Sequence, residues 1–418
     1  MLILHTSDWH LGKYLNNRDR LPEQREVIAE ICRIAEERQV HLVLITGDIF
    51  DTFVPSAAAE ELFYDAIDRL SAKGNRAVII IAGNHDSPDR LCAAKPLADR
   101  NGIILLGLPS SQAGMTQAHG NVKIIASGQG WLELAIAGLH DHAVIITLPY
   151  PSESRLDEAV SDSMDEEVMQ KAYSEKVGAI FAAMSGYFRE DTVNLAVSHL
   201  FIMGGESSDS ERLIQLGGAL TVDPAQLPSQ AQYLALGHLH KPQKAPGAKI
   251  PAYYSGSPLP YSFSETGYRK SVYLVEAYPG QAVKIDQVEL QSGKPLVKWV
   301  AKNGIPEVMT WLNSERDQNA WIDLEVHVNE PLTPEEIRAI RGAREDILDI
   351  RPVLLSSVET ESLEVNRHTK PLPELFTGFY RSRTGAAPRP ELLDYFLRIA
   401  DQEQAELNPK GGSLIETA

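Results

Sequence analysis

Eight polar side chains carry the chemistry this sequence can do: Asp8, His10, Asp48, Asn84, His85, His199, His238 and His240. Aspartate and asparagine offer hard oxygen donors, and imidazole offers nitrogen of borderline softness. A mixed nitrogen and oxygen set without sulfur suits Mn²⁺, Fe²⁺ or Zn²⁺ in a site of more than four ligands. Asp48 is the pivot, because one carboxylate can give an oxygen to each of two cations. Cations bridged in that way lie about 3.5–4 Å apart, the spacing that activates a water and clamps phosphate oxygens. With neutral imidazoles, two carboxylates against two divalent ions leave the pocket locally cationic, which attracts a phosphodiester.

These residues need elements that bring them to one place. Leu42 to Thr46 is a run of apolar and β-branched residues, which predicts a strand buried on both faces. Gly47 ends it, so Asp48 stands at the carboxyl end, where open α/β sheets bind ligands. Leu2-Ile3-Leu4 predicts a first strand leading into Thr6 to His10, and Ala77 to Ala82 a third leading into Gly83-Asn84-His85-Asp86. Between them, Arg20 to Gln39 carries Val27, Ile28, Ile31, Ile34 and Ala35 at helical spacing. Pro55-Ser56 can cap a second helix bearing Leu62, Phe63, Ile67 and Leu70, which stops at Gly74. Shorter strands follow at 103–106, 122–126, 132–137 and 144–148, then a polar helical stretch from Glu153 to Arg189. Val193 to Val197 exits into Ser198-His199, and a loop rich in glycine, serine and charge runs from Gly204 to Arg212. Tyr233 to Leu236 exits into Gly237-His238-Leu239-His240, and Ala252–Ser255 and Ser271–Glu276 close the layer. The order favours an α/β layered fold. Asp8-x-His10 on an extended segment puts both side chains on one side. The Gly237-His-x-His240 pair does the same only if a bend at Gly237 reorients it.

A turn at Tyr278-Pro279-Gly280 marks a domain boundary. Ala282 to Leu355 reads strand, helix, strand, helix, strand, with helices near Ile305–Leu312 and Pro334–Arg344; Thr333 and Glu336 form a capping box at the second. After about Ser362 the chain turns polar, Pro371-Leu-Pro373 marks a linker, and two short helical segments follow, Glu374–Tyr380 and Pro390–Gln402. The 418 residues suffice for two or three domains. Lys and Arg number 39 against 57 Asp and Glu, a formal charge of −18, which argues against gripping nucleic acid over the whole surface. The two cysteines, Cys32 and Cys92, make neither a disulfide framework nor a thiolate site, and Cys32 reads as a buried thiol. With no signal-like segment and no apolar run long enough for a bilayer, a cytoplasmic setting is expected.

Taken in order, Asp8-x-His10, Gly47-Asp48-x-x-Asp51, Gly83-Asn84-His85-Asp86, Ser198-His199 and Gly237-His238-x-His240 resemble the calcineurin-like metallophosphoesterases. The stretches His5 to Gly12, Gly204 to Arg212 and Tyr254 to Pro258 are similar to the nuclease subunits of SbcCD-type complexes, closely over roughly residues 1–280 and by architecture beyond. The resemblance implies a two-sheet α/β sandwich over residues 1–279, a small α/β capping domain over 280–361 that selects DNA ends, and a linker with a helical partner-binding segment over 362–418. It puts Asp8, His10, Asp48 and His240 on one ion and Asp48, Asn84, His199 and His238 on the other. His85 matches the family's catalytic histidine, which is not a ligand but stabilises the charged transition state and protonates the leaving oxygen. Asp51 and Asp86 then orient His85 or another imidazole from behind. The cofactors implied are two divalent cations, Mn²⁺ ahead of Mg²⁺, Fe²⁺ or Zn²⁺. The activity implied is exonuclease action on double-stranded DNA ends and endonuclease action on single strands and hairpins, in DNA repair, recombination and replication. The partners implied are DNA and an SbcC-type coiled-coil ABC ATPase, in a heterotetramer built on a homodimer, in the nucleoid-associated cytoplasm. Leu375, Phe376, Phe379, Tyr380, Leu393 and Phe396 offer apolar anchors for the partner's helices, unless they pack back on their own chain.

Two other readings keep the same residues: a phosphatase or cyclic-nucleotide phosphodiesterase, and a non-catalytic scaffold on DNA ends whose metals are structural. His119, His142, His327 and His368 read as ordinary surface or core residues. His140-Asp141-His142 sits in a turn outside the motif order, and His5 and His41 read as structural. Trp9 either covers the core or stacks on a base.

Overall fold

Alternation explains how one run of apolar residues serves two interfaces. In β1 (Leu2–Thr6), Ile3 faces one side and Leu4 the other; in β2 (Leu42–Thr46), Leu42 and Leu44 oppose Val43 and Ile45. The computed structural model describes residues 1–115, 119–156, 165–211, 220–355, 372–384, 387–390, 392, 393 and 396. It divides into two compact units, Met1–Val297 and Lys298–Ala418.

In the first unit, β1 is followed by α1 (Leu21–Glu37), β2, α2 (Ala57–Ser71), β3 (Ala77–Ile81) and β4 (Ile103–Leu106). The four strands are parallel neighbours in chain order. Helices α1 and α2 cover one face with Val27, Ile31, Leu62, Phe63 and Leu70, which pack on Leu4, Val43, Ile45, Val78 and Ile80. Burying each such side chain contributes roughly 1.5–3 kcal/mol. Helix α2 starts where predicted, with the Ser56 hydroxyl accepting from Ala59 N–H at 3.3 Å.

The second sheet holds β5 (Val122–Gly128), β6 (Trp131–Ile136), β7 (His142–Leu148), β8 (Thr192–His199), β9 (Tyr233–Gly237) and β10 (Ala252–Tyr254), with Gln243–Lys244 at its edge. Strands β7 to β10 run parallel. Its inner face packs on the first sheet through Leu132, Leu134, Ile145, Leu195, Val197 and Tyr233. Helix α3 (Glu166–Ser185) covers its outer face with Tyr173, Val177 and Phe181. The unit is therefore layered helix, sheet, sheet, helix. Residues 157–164 of the polar stretch before α3, and Arg212 of the Gly204–Arg212 loop, lie outside the described residues.

The end of the first unit differs from expectation. Strand β11 (Ser271–Glu276) does not extend the second sheet; it pairs antiparallel with β1 in the first. Strand β12 (Lys284–Glu289) pairs antiparallel with β11, from Ser271↔Glu289 to Glu276↔Lys284. Tyr278-Pro279-Gly280 is thus the turn of a β-connection, and the division falls at Val297 rather than there.

The second unit contains all but the first two residues of β13 (Leu296–Ala301), with α4 (Ile305–Leu312), β14 (Trp321–Val328), α5 (Pro334–Ala343) and β15 (Ile347–Leu354). The strands form one sheet in the order β13-β14-β15, around buried Trp299, Val308, Ile322, Leu324 and Ile340. The capping box is present: Thr333 Oγ1 accepts from Glu336 N–H at 3.2 Å, and the Glu336 carboxylate accepts from Thr333 N–H at 2.8 Å. Helix α6 (Leu372–Thr384) follows, where Phe376 stacks on Phe396 at 3.9 Å while Phe379 is 60 % exposed. The predicted linker Pro371-Leu-Pro373 is not one throughout, since Leu372 and Pro373 open α6; Pro371 and, of the last predicted helix, residues 391, 394, 395 and 397–402 lie outside the described residues. Among the described residues, no helix is long and apolar enough to cross a membrane.

Candidate metal centre

The carboxyl ends of β1, β2 and β3 in one sheet meet those of β8 and β9 in the other, so five strand ends deliver the eight polar residues. Past its strand, the β1 exit stays bonded to the β2 exit: Asp8 N–H donates to Gly47 O and His10 N–H to Asp48 O, both at 3.0 Å. Asp8, His10 and Asp48 have φ of 53°, 44° and 50°, and His238 has 109°. Side-chain-bearing residues adopt such backbone only when the surroundings impose it, at about 1–3 kcal/mol each. Asp8-x-His10 therefore converges through a left-handed turn rather than along an extended segment, since β1 already ends at Thr6. The bend before His240 is made at His238 itself. Gly237 ends its strand, and its role is close approach: a Cβ there would run into the Thr46 carbonyl and the Ser7 hydroxyl. Gly83 is required for the same reason, because a Cβ would strike the backbone nitrogen and carboxylate of Asp48.

Among the described residues three donor groups result, one of them His10, Asp51 and His85, and the other two made entirely of predicted ligands. Ligand atoms of Asp8, His10 and His240 lie within 4.8 Å of one another, as do those of Asp48, His199 and His238. Asp48 joins them, with Oδ2 at 3.6 Å from His10 Nε2 and 3.6 Å from His199 Nε2. Asn84 Oδ1 sits 2.9 Å from His199 Nε2 and 3.2 Å from His238 Nδ1. His10 Nε2 and His240 Nε2 are 3.0 Å apart. All seven predicted ligands are brought together.

The proton inventory shows that the donor set fits cations. His199 Nδ1–H donates to the Thr46 carbonyl at 2.8 Å, so its Nε2 carries a lone pair. That lone pair faces the oxygens of Asn84 and Asp48, which also only accept; a cation satisfies all three. Ser210 sits between His240 Nδ1, at 2.5 Å, and Glu265 Oε1, at 2.6 Å. The serine hydroxyl donates to the carboxylate, so it accepts from His240 Nδ1–H and leaves Nε2 of that ring a lone pair too. Burial pushes His10 down to about 3 and lowers His199 and His238, so the imidazoles are neutral ligands. Burial, reinforced by the Asp48 charge, raises Asp8 well above the usual carboxylate range. Burial alone would raise Asp48 as well, but it stands below that range, and the His85 backbone N–H on its Oδ1 at 2.8 Å favours the charged carboxylate.

His85 is buried beside this set, with Nδ1–H on the Asp51 carbonyl at 2.7 Å and Nε2 4.0 Å from Asp48 Oδ2. Its backbone N–H donates to Asp48 Oδ1 at 2.8 Å. Asp51 thus orients His85 with its backbone; its carboxylate holds Lys13 Nζ at 2.7 Å and faces His10 Nδ1 at 3.5 Å. Asp86 touches no imidazole. Its carboxylate accepts from the backbone N–H groups of Gly83, Ile49 and Phe50 at 2.8, 3.2 and 3.0 Å, tying the β3 exit to the β2 exit. Trp9 is fully buried, with Nε1–H on Thr6 Oγ1 at 3.0 Å, and presents no stacking face. His5 lies buried between the sheets, 2.9 Å from the Tyr233 hydroxyl, and His41 Nδ1 accepts from Leu2 N–H at 3.0 Å. His142 and His327 pair with Glu133 and Glu325, each at 2.9 Å, and His368 lies outside the described residues.

Sequence reasoning missed Arg155, Tyr150, Ser210, Glu211, Glu265 and Lys270. Arg155 donates to the carbonyls of Gly83 and Asp86, and Lys270 donates to the His240 carbonyl at 2.8 Å. Only Ser210 and Glu211 carried any signal, as part of the serine-rich block after Gly204.

The family model for calcineurin-like phosphoesterases matches residues 1–242. The chain is 45 % identical over 408 residues to the SbcD component of the nuclease SbcCD of Bacillus subtilis, covering 97 % of this chain and 99 % of that one. It is 30 % identical over 375 residues to the protein of the same name from Rhodobacter capsulatus, covering 87 % and 88 %. Among solved structures, "GAP50 the anchor in the inner membrane complex of Plasmodium" overlaps 70 % of this chain and 89 % of its own at a TM-score of 0.39 and 12 % identity, too loosely to bear an argument. The chain belongs to the calcineurin-like phosphoesterase family, within its SbcD branch.

Proposed function

We propose that this chain is the nuclease subunit of an SbcCD-type complex and hydrolyses phosphodiesters in DNA at a two-cation centre. The observation that carries the reading is the seat of Asp48, whose Oδ2 is equally distant, at 3.6 Å, from Nε2 of His10 and Nε2 of His199. Asp8, His10, Asp48 and His240 hold one divalent cation, and Asp48, Asn84, His199 and His238 the other. The nitrogen and oxygen donors put Mn²⁺ first, ahead of Mg²⁺, Fe²⁺ or Zn²⁺. Bound there, the cations supply activation of water and neutralisation of the phosphate oxygens. His85, anchored by Asp51, uses Nε2 to meet the developing charge and to protonate the leaving oxygen.

DNA as substrate, and an SbcC-type coiled-coil ABC ATPase as partner, are supported by the names of the two relatives. By the same likeness the activity is exonuclease on double-stranded ends and endonuclease on single strands and hairpins, within a heterotetramer built on a homodimer in the cytoplasm. The small α/β domain selects DNA ends, and the apolar residues of α6, Phe379 foremost, dock on the ATPase. A chain of −18 charge suits a partner that supplies most of the cationic DNA surface.

The test is to measure Mn²⁺ content and DNA cutting by the purified chain, alone and with an SbcC-type ATPase plus ATP. Two ions per chain and partner-stimulated cutting of DNA ends are expected. Turnover of a small bis-phosphodiester only, indifferent to the partner, would make the chain a small-molecule phosphodiesterase. Metal-loaded protein that binds DNA ends and never cuts would make it a scaffold.

A further inference from the structure

We propose that the two cation positions are supported by two separate networks, so that either position can be weakened without the other. The inference rests on the two-cation reading and adds the residues that decide each position's affinity.

The first network comes from the exit of β7 and serves the position of Asn84, His199 and His238. Arg155 spreads its guanidinium over the Gly83–Asp86 turn, donating through Nη1 to Gly83 O at 2.7 Å and through Nη2 to Asp86 O at 2.6 Å. These carbonyls bracket Asn84 and His85. The guanidinium also lies over the Tyr150 ring, 5.4 Å from its centroid, and that ring meets His199 edge-on at 6.1 Å. Tyr150 N–H donates to Ala82 O at 3.0 Å, which secures the strap to the end of β3. One flat fork thus holds the Asn84 turn and, through Tyr150, one wall of His199. Lysine cannot reproduce it, because a single ammonium is a point donor.

The second network comes from the stretch after β8 and the approach to β11, and it serves the position of Asp8, His10 and His240. It holds His240 at three atoms. Nδ1–H donates to Ser210 Oγ, N–H donates to Glu211 Oε1 at 2.8 Å, and the carbonyl accepts from Lys270 Nζ at 2.8 Å. Ser210 passes its own hydrogen to Glu265, which also accepts from Tyr261 N–H at 3.0 Å, Ser262 N–H at 3.1 Å and Lys270 Nζ. Glu265 and Lys270 are both buried, so each ion needs the other. A carboxylate behind a metal-ligating imidazole fixes its tautomer and raises its basicity, and here a serine stands between them. The two networks share no residue; the positions they serve are joined at Asp48 and by the His238 N–H, which donates to the Asp8 carboxylate at 3.1 and 3.2 Å.

Ser210, Glu265 and Arg155 are therefore positioning residues, and their mark is a metal affinity rather than a rate. The experiment titrates Mn²⁺ into wild type, Arg155→Ala, Arg155→Lys, Ser210→Ala and Ser210→Thr, following binding by calorimetry and spin coupling between the ions by EPR. Wild type is expected to bind two Mn²⁺ with a coupled signal. Arg155→Ala and Ser210→Ala are each expected to weaken one position by about 10–100-fold, leave the other unchanged, and give an isolated-ion signal at intermediate Mn²⁺. Ser210→Thr restores coupling because the hydroxyl remains, and Arg155→Lys does not. Adding His199→Ala should not disturb the ion retained by Arg155→Ala, whereas adding His10→Ala should remove it; the reverse holds for Ser210→Ala. Variants that melt like wild type yet lose both positions equally, or neither, overturn the inference. Should Arg155→Ala fail to fold, Arg155→Lys and the two Ser210 variants decide the same question. A wild type that binds fewer than two ions refutes the two-cation reading itself, a result distinct from failure of the split.

Discussion

Replacing His85 with alanine separates the chemistry from the cations. The ring is 4 % exposed, hangs from the Asp51 carbonyl by a 2.7 Å bond and turns Nε2 toward the bridge, 4.0 Å from Asp48 Oδ2. What ties this residue to Asp48 most closely is its backbone N–H, at 2.8 Å, and that bond survives the substitution. The bridge should therefore stay in place, and Mn²⁺ content should match wild type. Turnover of DNA should fall by about 10²–10⁴, the usual contribution of a positioned proton donor, which is about 2.7–5.5 kcal/mol on the barrier. A diester whose leaving group is a stabilised phenolate departs without a proton, so its turnover should fall far less. The assay pairs elemental analysis with steady-state rates on both substrates. Loss of the metals in His85→Ala would refute the assigned geometry, and equal losses on both substrates would refute proton delivery.

Gly83→Ala pushes a methyl group into the backbone and carboxylate of Asp48; overpacking alone costs about 1–3 kcal/mol, and metal analysis should find both ions lost. His5 gives a pH signature. Burial holds it at about 3 in the folded protein against 6.5 ordinarily, so the unfolded chain takes up a proton that the folded chain refuses. Its contribution is whole above pH 6.5 and is lost at up to ~1.4 kcal/mol per unit as pH falls toward 3. Denaturant unfolding of His5→Asn should show an acid limb shallower by one proton, and an unchanged slope would contradict it. Thr333→Ala removes the capping box of α5 and should weaken that helix by about 0.5–2 kcal/mol, seen as faster hydrogen exchange over Pro334–Ala343 with turnover of a small diester unchanged.

Which residues gather at the candidate centre was legible because chemistry and position coincide in the sequence. An apolar run that stops at Gly47-Asp48 or Gly83-Asn84 announces both a strand and what it delivers. How they converge was not legible. The left-handed turns at Asp8, His10 and Asp48 are imposed by bonds between two strand exits some forty positions apart, and the mild tolerance of Asp and His for such backbone does not by itself specify them. Asp86 sits in a recognisable motif, yet its task is to gather backbone N–H groups, which depends on Ile49 and Phe50 coming near. Arg155, Glu265 and Lys270 lay beyond reach for the same reason: a lone charged residue in a loop gains meaning only from the carbonyl or imidazole it meets. The domain boundary moved because pairing of Lys284–Glu289 with Ser271–Glu276 is a matter of register, and a Pro-Gly turn looks alike within a sheet and between domains.

His10 and His240 face each other across 230 positions of chain. Contacts of such separation form late in folding, because a long loop must close before they repay its entropy. A ribosome must therefore have delivered more than half of this polypeptide before the donors of the proposed two-cation seat can all meet. A nascent chain that has not reached His240 lacks one of the proposed ligands.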